Sequence, residues 1–102
     1  MRWIDFDALK AMVPMRDVLF LIGWKPTVYR GGGQYRGRCP LHKTEDPRSV
    51  VFAVKDDGFT CHKCKEHGDQ VRLYALWRKL TVVQAAVELC RELSLVVPRM
   101  PH

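Results

Sequence analysis

A chain of 102 residues is long enough for one domain, and its 47% hydrophobic, 27% charged composition excludes wholesale disorder. Its longest apolar run, Val18 to Ile22, is far short of the roughly 20 residues that span a bilayer. The net charge of +6 lies entirely within residues 25–79, where twelve Lys and Arg stand against six Asp and Glu. That local excess points to a polyanionic partner or to a well-solvated basic surface, and charge alone leaves both open.

In chain order, Asp5 or Asp7 is placed to cap a first short helix through Ala8–Met12. The same two acids interrupt the position of a secretory apolar region, so the chain is expected to be cytoplasmic and without a membrane. Val13-Pro14 breaks that helix, and Pro14 suits the first position of a second, which runs from Met15 to Ile22 and stops at Gly23. Arg30-Gly-Gly-Gly-Gln34 lacks the spacing of a phosphate-binding loop and reads as a hairpin turn. Gln34 to Arg38 alternates as a strand, Val50–Lys55 is a β-branched run, Asp56-Asp57-Gly58 is a turn, and Phe59-Thr60 leads into Cys61. Gly68-Asp69 ends the ribbon and caps a helix to about Leu80. Thr81-Val-Val-Gln84 is a capping box for a last helix ending near Ser94, with Val82, Val83, Ala86, Val87, Cys90 and Leu93 at helical spacing. Trp3, Trp24 and Trp77 sit in or beside apolar helical patterns and read as core.

Four cysteines lie at 39, 61, 64 and 90. With no export signal to support disulfides, spacing gives the better account. Cys39-Pro-Leu-His42 and Cys61-His-Lys-Cys64 are two ligand pairs, each with two residues between ligands, separated by eighteen residues that can form a β-hairpin. The expectation is one structural Zn²⁺ held by Cys39, His42, Cys61 and Cys64. Four protein ligands leave no open position for a reacting water. His62, pointing away beside Cys61, and His67 are weaker ligand candidates, and Cys90 reads as a buried core thiol.

Together these features resemble the N-terminal zinc-binding domain of bacterial and phage DnaG-type DNA primases. The matching residues are Cys39-Pro-Leu-His42, Pro47-Arg-Ser49, Cys61-His-Lys-Cys64, Gly68-Asp69 and Leu80-Thr-Val-Val-Gln-Ala-Ala86. Lys63 and Lys65 stand where that family usually has glycine, and Arg48 separates a Pro and a Ser that are usually adjacent. The expected fold is α+β: a helical arm over 1–24, an antiparallel zinc ribbon over 25–67, and a helix pair with a tail over 68–102, all one domain.

The resemblance implies a non-catalytic module that engages single-stranded DNA template in primer synthesis. Its expected partners are single-stranded DNA and a primase polymerase subunit or helicase. Alternation along a strand sets Arg36 and Arg38 on one face and Tyr35 on the other. Arg36, Arg38, Lys43, Arg48, Lys55 and Lys63 are the candidate phosphate contacts. Phe52 and Phe59 read first as ribbon core, and Phe52 is also carried as a base-stacking candidate. The alternative is a stand-alone zinc-finger module for protein interaction or regulation, without a replication role. Catalysis by the chain itself has little support, because no nucleophile–base pair and no open metal position is visible.

Overall fold

The computed structural model describes residues 3–42 and 48–100. Helix α1 (Phe6–Met12) starts where the Asp5 side chain accepts the Ala8 N–H at 3.0 Å. Helix α2 (Met15–Ile22) follows after Pro14, which is its N-cap rather than its first residue and offers no capping side chain. The cap comes from elsewhere: Asp57 Oδ1 accepts the Met15 N–H at 3.1 Å. Gly23 closes α2 in the left-handed conformation with φ 73°.

The sheet is five-stranded and antiparallel throughout, in the order of the chain: β1 (Val28–Gly31), β2 (Gln34–Gly37), β3 (Phe52–Lys55), β4 (Gly58–Cys61) and β5 (His67–Asp69). Register sets Tyr35, Val54, Phe59 and Gly68 in one row and Gly37, Phe52 and Cys61 in the next. This face meets the helices and buries Phe52, Val54 and Phe59. The Phe52 and Phe59 rings stack at 5.7 Å between centroids, and Trp24 meets Phe52 edge-on at 5.4 Å.

Strand β5 is absent from the sequence reading, since His67-Gly-Asp has no β-branched or aromatic residue. Pairing with β4 makes it a strand. Gly68 is needed there: its φ is 151°, and a Cβ would come within 2.4 Å of Arg72 Cδ. Asp69 then caps helix α3 (Gln70–Arg78) by accepting the Arg72 N–H, and Thr81 and Gln84 form the expected capping box on α4 (Val82–Glu92). Helix α4 turns Ala85, Ala86, Leu89 and Cys90 inward and leaves Val82, Val83 and Val87 exposed, so its buried stripe is rotated from the expected one.

The tryptophans also divide. Trp24 packs as expected, but Trp3 is 81% exposed and Trp77 is partly exposed. Trp3 lies on an extended segment bridged to Arg99, where alternation sends Ile4 inward and its neighbour out.

Gln70, fully buried, joins the two helical parts. Its Nε2 donates to the carbonyls of Lys10 and Val13, each at 2.9 Å, and so satisfies the end of α1. Replacing Gln70 with Leu leaves those carbonyls unpaired, at about 1–3 kcal/mol per buried group. Leucine also removes the buried Gln70 Oε1, which has no partner among the described residues, so Gln70→Leu is expected to lower stability by about 2–3 kcal/mol in urea unfolding under saturating zinc, with zinc content unchanged.

Candidate metal centre

Two turns carry the four ligands. The first follows β2, where Cys39 is buried and its sulfur accepts the Leu41 N–H at 3.4 Å. The second follows β4, where Cys61 Sγ accepts the Cys64 N–H at 3.4 Å and the Lys65 N–H donates to the Cys61 carbonyl at 3.0 Å. Lys65 adopts a left-handed conformation with φ 65°, the region that glycine enters without strain. Cys61 N–H to Glu66 O and His62 N–H to Val51 O, both 2.8 Å, tie the second turn into the sheet.

These turns bring one ligand atom each from Cys39, His42, Cys61 and Cys64 to within 4.8 Å of one another. The Cys39 and Cys64 sulfurs are 4.0 Å apart. Zinc–sulfur bonds of about 2.3 Å in a tetrahedron set sulfurs about 3.8 Å apart, so a slight contraction completes the geometry. Both His42 ring nitrogens are buried without a hydrogen-bond partner among the described residues, as expected of an imidazole oriented for a metal. With three thiols, one imidazole and no carboxylate, the donor set suits zinc, and the group is positioned to hold one ion. His62 and His67 lie outside it and are exposed. Cys90 is buried in the core, as its place on α4 implied.

Burial pushes the metal-free Cys39 thiol from its ordinary 9.0 up to about 12. Burial also acts to raise Cys61, but hydrogen bonds from Cys64 and from the Lys63 backbone outweigh it and hold that thiol below its ordinary value. An unfolded Cys39 releases its proton at lower pH than the folded one, so the metal-free fold loses stability as pH rises from 9.0 toward 12. Zinc binding has the opposite dependence, because the ion must displace the Cys39 proton. On that account alone, zinc affinity should fall about tenfold for each unit of decreasing pH. Chelator competition between pH 6 and 8 measures it, and a pH-independent affinity contradicts it. Cys61→Ser is expected to lose stoichiometric zinc, and Cys90→Ala to retain it, by metal analysis of the purified variants.

The candidate nucleic-acid contacts are less uniform. Arg38, Arg48, Lys55 and Lys63 are exposed around the ribbon. Arg36 is half-buried, and its Nε donates to the Val50 carbonyl at 3.0 Å, so part of its guanidinium braces the sheet. Phe52 is 0% exposed and has no face for a base, because alternation turns it toward the helices. It belongs to the core and is withdrawn as a stacking residue. Lys43 lies outside the described residues. Exposed Tyr29 and Tyr35, with rings 4.9 Å apart, were missed as surface aromatics. Their alternation opposite Arg36 was the available signal.

The family model described as CHC2 zinc finger, Zn_ribbon_DnaG, matches residues 4–101. The DNA primase of Pasteurella multocida is 30% identical over 88 residues, covering 84% of this chain and 15% of that protein. The DNA primase of Aquifex aeolicus is 28% identical over 87 residues, covering 85% of this chain and 17% of its own length. A crystal structure of the zinc-binding and RNA polymerase domains of the Aquifex aeolicus primase superposes with a TM-score of 0.65 at 24% identity. That match covers 97% of this chain and 23% of the other, and it speaks for the fold.

Proposed function

The chain belongs to the CHC2 zinc finger family, and from that membership we propose that it engages single-stranded DNA template during primer synthesis. In this reading it works beside a separate polymerase portion or a helicase. The relatives named as DNA primases are several times longer, so the chemistry of primer synthesis is assigned to the remainder of such proteins.

The observation that carries the reading is the open face of the sheet. The helices cover one face, and the rows Gln34–Lys55 and Arg36–Ala53–Thr60–His67 make up the other. A shallow groove of about 370 Å³ crosses it, lined by Gln34, Ala53, Lys55, Thr60 and His67 among others. Small residues floor the groove, Lys55 and the hydrogen-bonding side chains of Gln34, Thr60 and His67 flank it, and the zinc turns adjoin it at the Cys61 end of β4. Such a surface suits a phosphate backbone in close contact with a rigid sheet. Zinc in this scheme is structural: it holds the strands so that the cations keep their spacing.

Three or four phosphate contacts on a single strand give log K a slope of about −2 to −3 against log salt. Lys55→Gln with Lys63→Gln is expected to flatten that slope by about one unit while zinc content stays intact. Fluorescence anisotropy of a labelled oligonucleotide across a salt series measures both. If the folded, zinc-loaded chain binds no single strand at low salt, the protein-interaction reading replaces this one.

A further inference from the structure

The open face just described offers cations and donors, and the one phenylalanine in the lining of its groove, Phe59, is buried in the core. The exposed rings lie on the opposite face of the β1–β2 hairpin. Helix α3 rests against β4 and β5, and the hairpin projects past that layer. Its inward-facing tyrosines are therefore uncovered, Tyr29 at 59% and Tyr35 at 43% exposure. Beside them α2 presents Phe20, 85% exposed, and a groove of about 490 Å³ runs between, walled by Leu19, Phe20, Trp24, Pro26 and Tyr35. Trp24 is held in place on two sides: its Nε1 donates to the Arg38 carbonyl at 2.6 Å, and its ring meets Phe52. The charged residues lining this groove are Arg16 and Lys25, both cations. Past Arg16, Leu19 and Tyr35 the cleft continues toward Asp56, so Arg16 stands between the groove and that acid, and an anion is favoured most at the Lys25 end.

Aromatic faces beside cations, with no acid in the lining of the groove itself, match the chemistry of a single-stranded nucleic acid: rings for bases and positive charge for the intervening phosphates. We propose that this groove is a base-stacking subsite for single-stranded nucleic acid, formed by Phe20, Trp24 and Tyr35, with Arg16 and Lys25 meeting the flanking phosphates. The proposal rests on the reading that the chain binds single strands, and adds a second surface to it. A strand passing over the β1 edge meets the cations of the open face and then these rings. A peptide that is both apolar and acidic is the competing occupant, and the test separates it.

The experiment uses the zinc-loaded chain carrying Trp3→Phe and Trp77→Phe, which leaves Trp24 as the one indole. It is titrated with a thymidine oligonucleotide of about twelve nucleotides, within the usual site sizes, and with an abasic strand of equal length. Quenching of Trp24 by the thymidine strand and not by the abasic one is expected. Phe20→Leu and Tyr35→Leu should each weaken thymidine binding about fivefold or more and leave the salt slope unchanged, the converse of Lys55→Gln with Lys63→Gln. Should Tyr35→Leu fail to fold, Phe20→Leu decides, since that side chain is almost wholly exposed. Unchanged binding by the ring variants with unquenched Trp24 overturns the groove and leaves template binding standing. No binding of any single strand at low salt overturns both. A glutamate-rich amphipathic peptide that shifts Trp24 emission where the oligonucleotide does not makes the groove a protein-docking site, and the proposal fails.

Discussion

Everything in the ribbon depends on four ligand atoms from two distant turns meeting at one point. Cys39 and His42 leave β2, Cys61 and Cys64 leave β4, and β3 lies between those strands. A tetrahedral ion there ties the ends of β2 and β4 to each other across β3. Structural zinc supplies about 10–16 kcal/mol of apparent folding free energy at neutral pH, as large as the roughly 5–15 kcal/mol stability of a whole domain. The sheet contributes Phe52, Val54 and Phe59, with Trp24 at the margin, to one apolar core that it shares with the helices. By magnitude the metal is comparable to the net stability of the whole domain, so its loss is felt first in the sheet that its ligands join.

The helical layer is joined to the ribbon by polar links that complete helix ends across the fold. Asp57, in the turn between β3 and β4, caps α2. Gln70, the first residue of α3, satisfies the last carbonyls of α1. The bridge between Ile4 and Arg99 closes the extended segments at the two ends of the described chain against each other. The Asp57 and Gln70 links satisfy backbone groups that a helix leaves open, so the helices dock at defined positions as well as by apolar burial. Loss of such a link acts on stability while the zinc ligands keep their places.

Strand alternation then divides the hairpin's chemistry. One face takes Arg36 in line with Ala53, Thr60 and His67, and the other takes Tyr29 and Tyr35. Because the helices extend over only part of the second face, some of its rings reach solvent while Phe52 and Phe59 do not. The same periodicity therefore yields a core, a cationic surface and an aromatic groove. Their boundary is set by where α2 and α3 end.

Much of this was legible in the residues. Ligand spacing, the Gly23 stop, the capping box at Thr81 and Gln84, and the hairpin at the glycines are local signals, each arising within a few residues, and each is present in the structure. Cys90 as a core thiol and the metal tetrad were readable for the same reason. Other features were decided only by the tertiary structure. Strand β5 exists because β4 offers it a ladder, and Asp57 is a helix cap only because its turn arrives beside Met15. Trp3, Val83 and Phe20 are exposed because no element lies over them, and Phe52 is lost to any ligand because one does. Periodicity in a sequence says which residues share a face. Whether that face is covered depends on elements distant in the chain, so spacing within each turn and helix determined the two ligand pairs and the helix ends, and docking between elements decided which surfaces remain to bind anything.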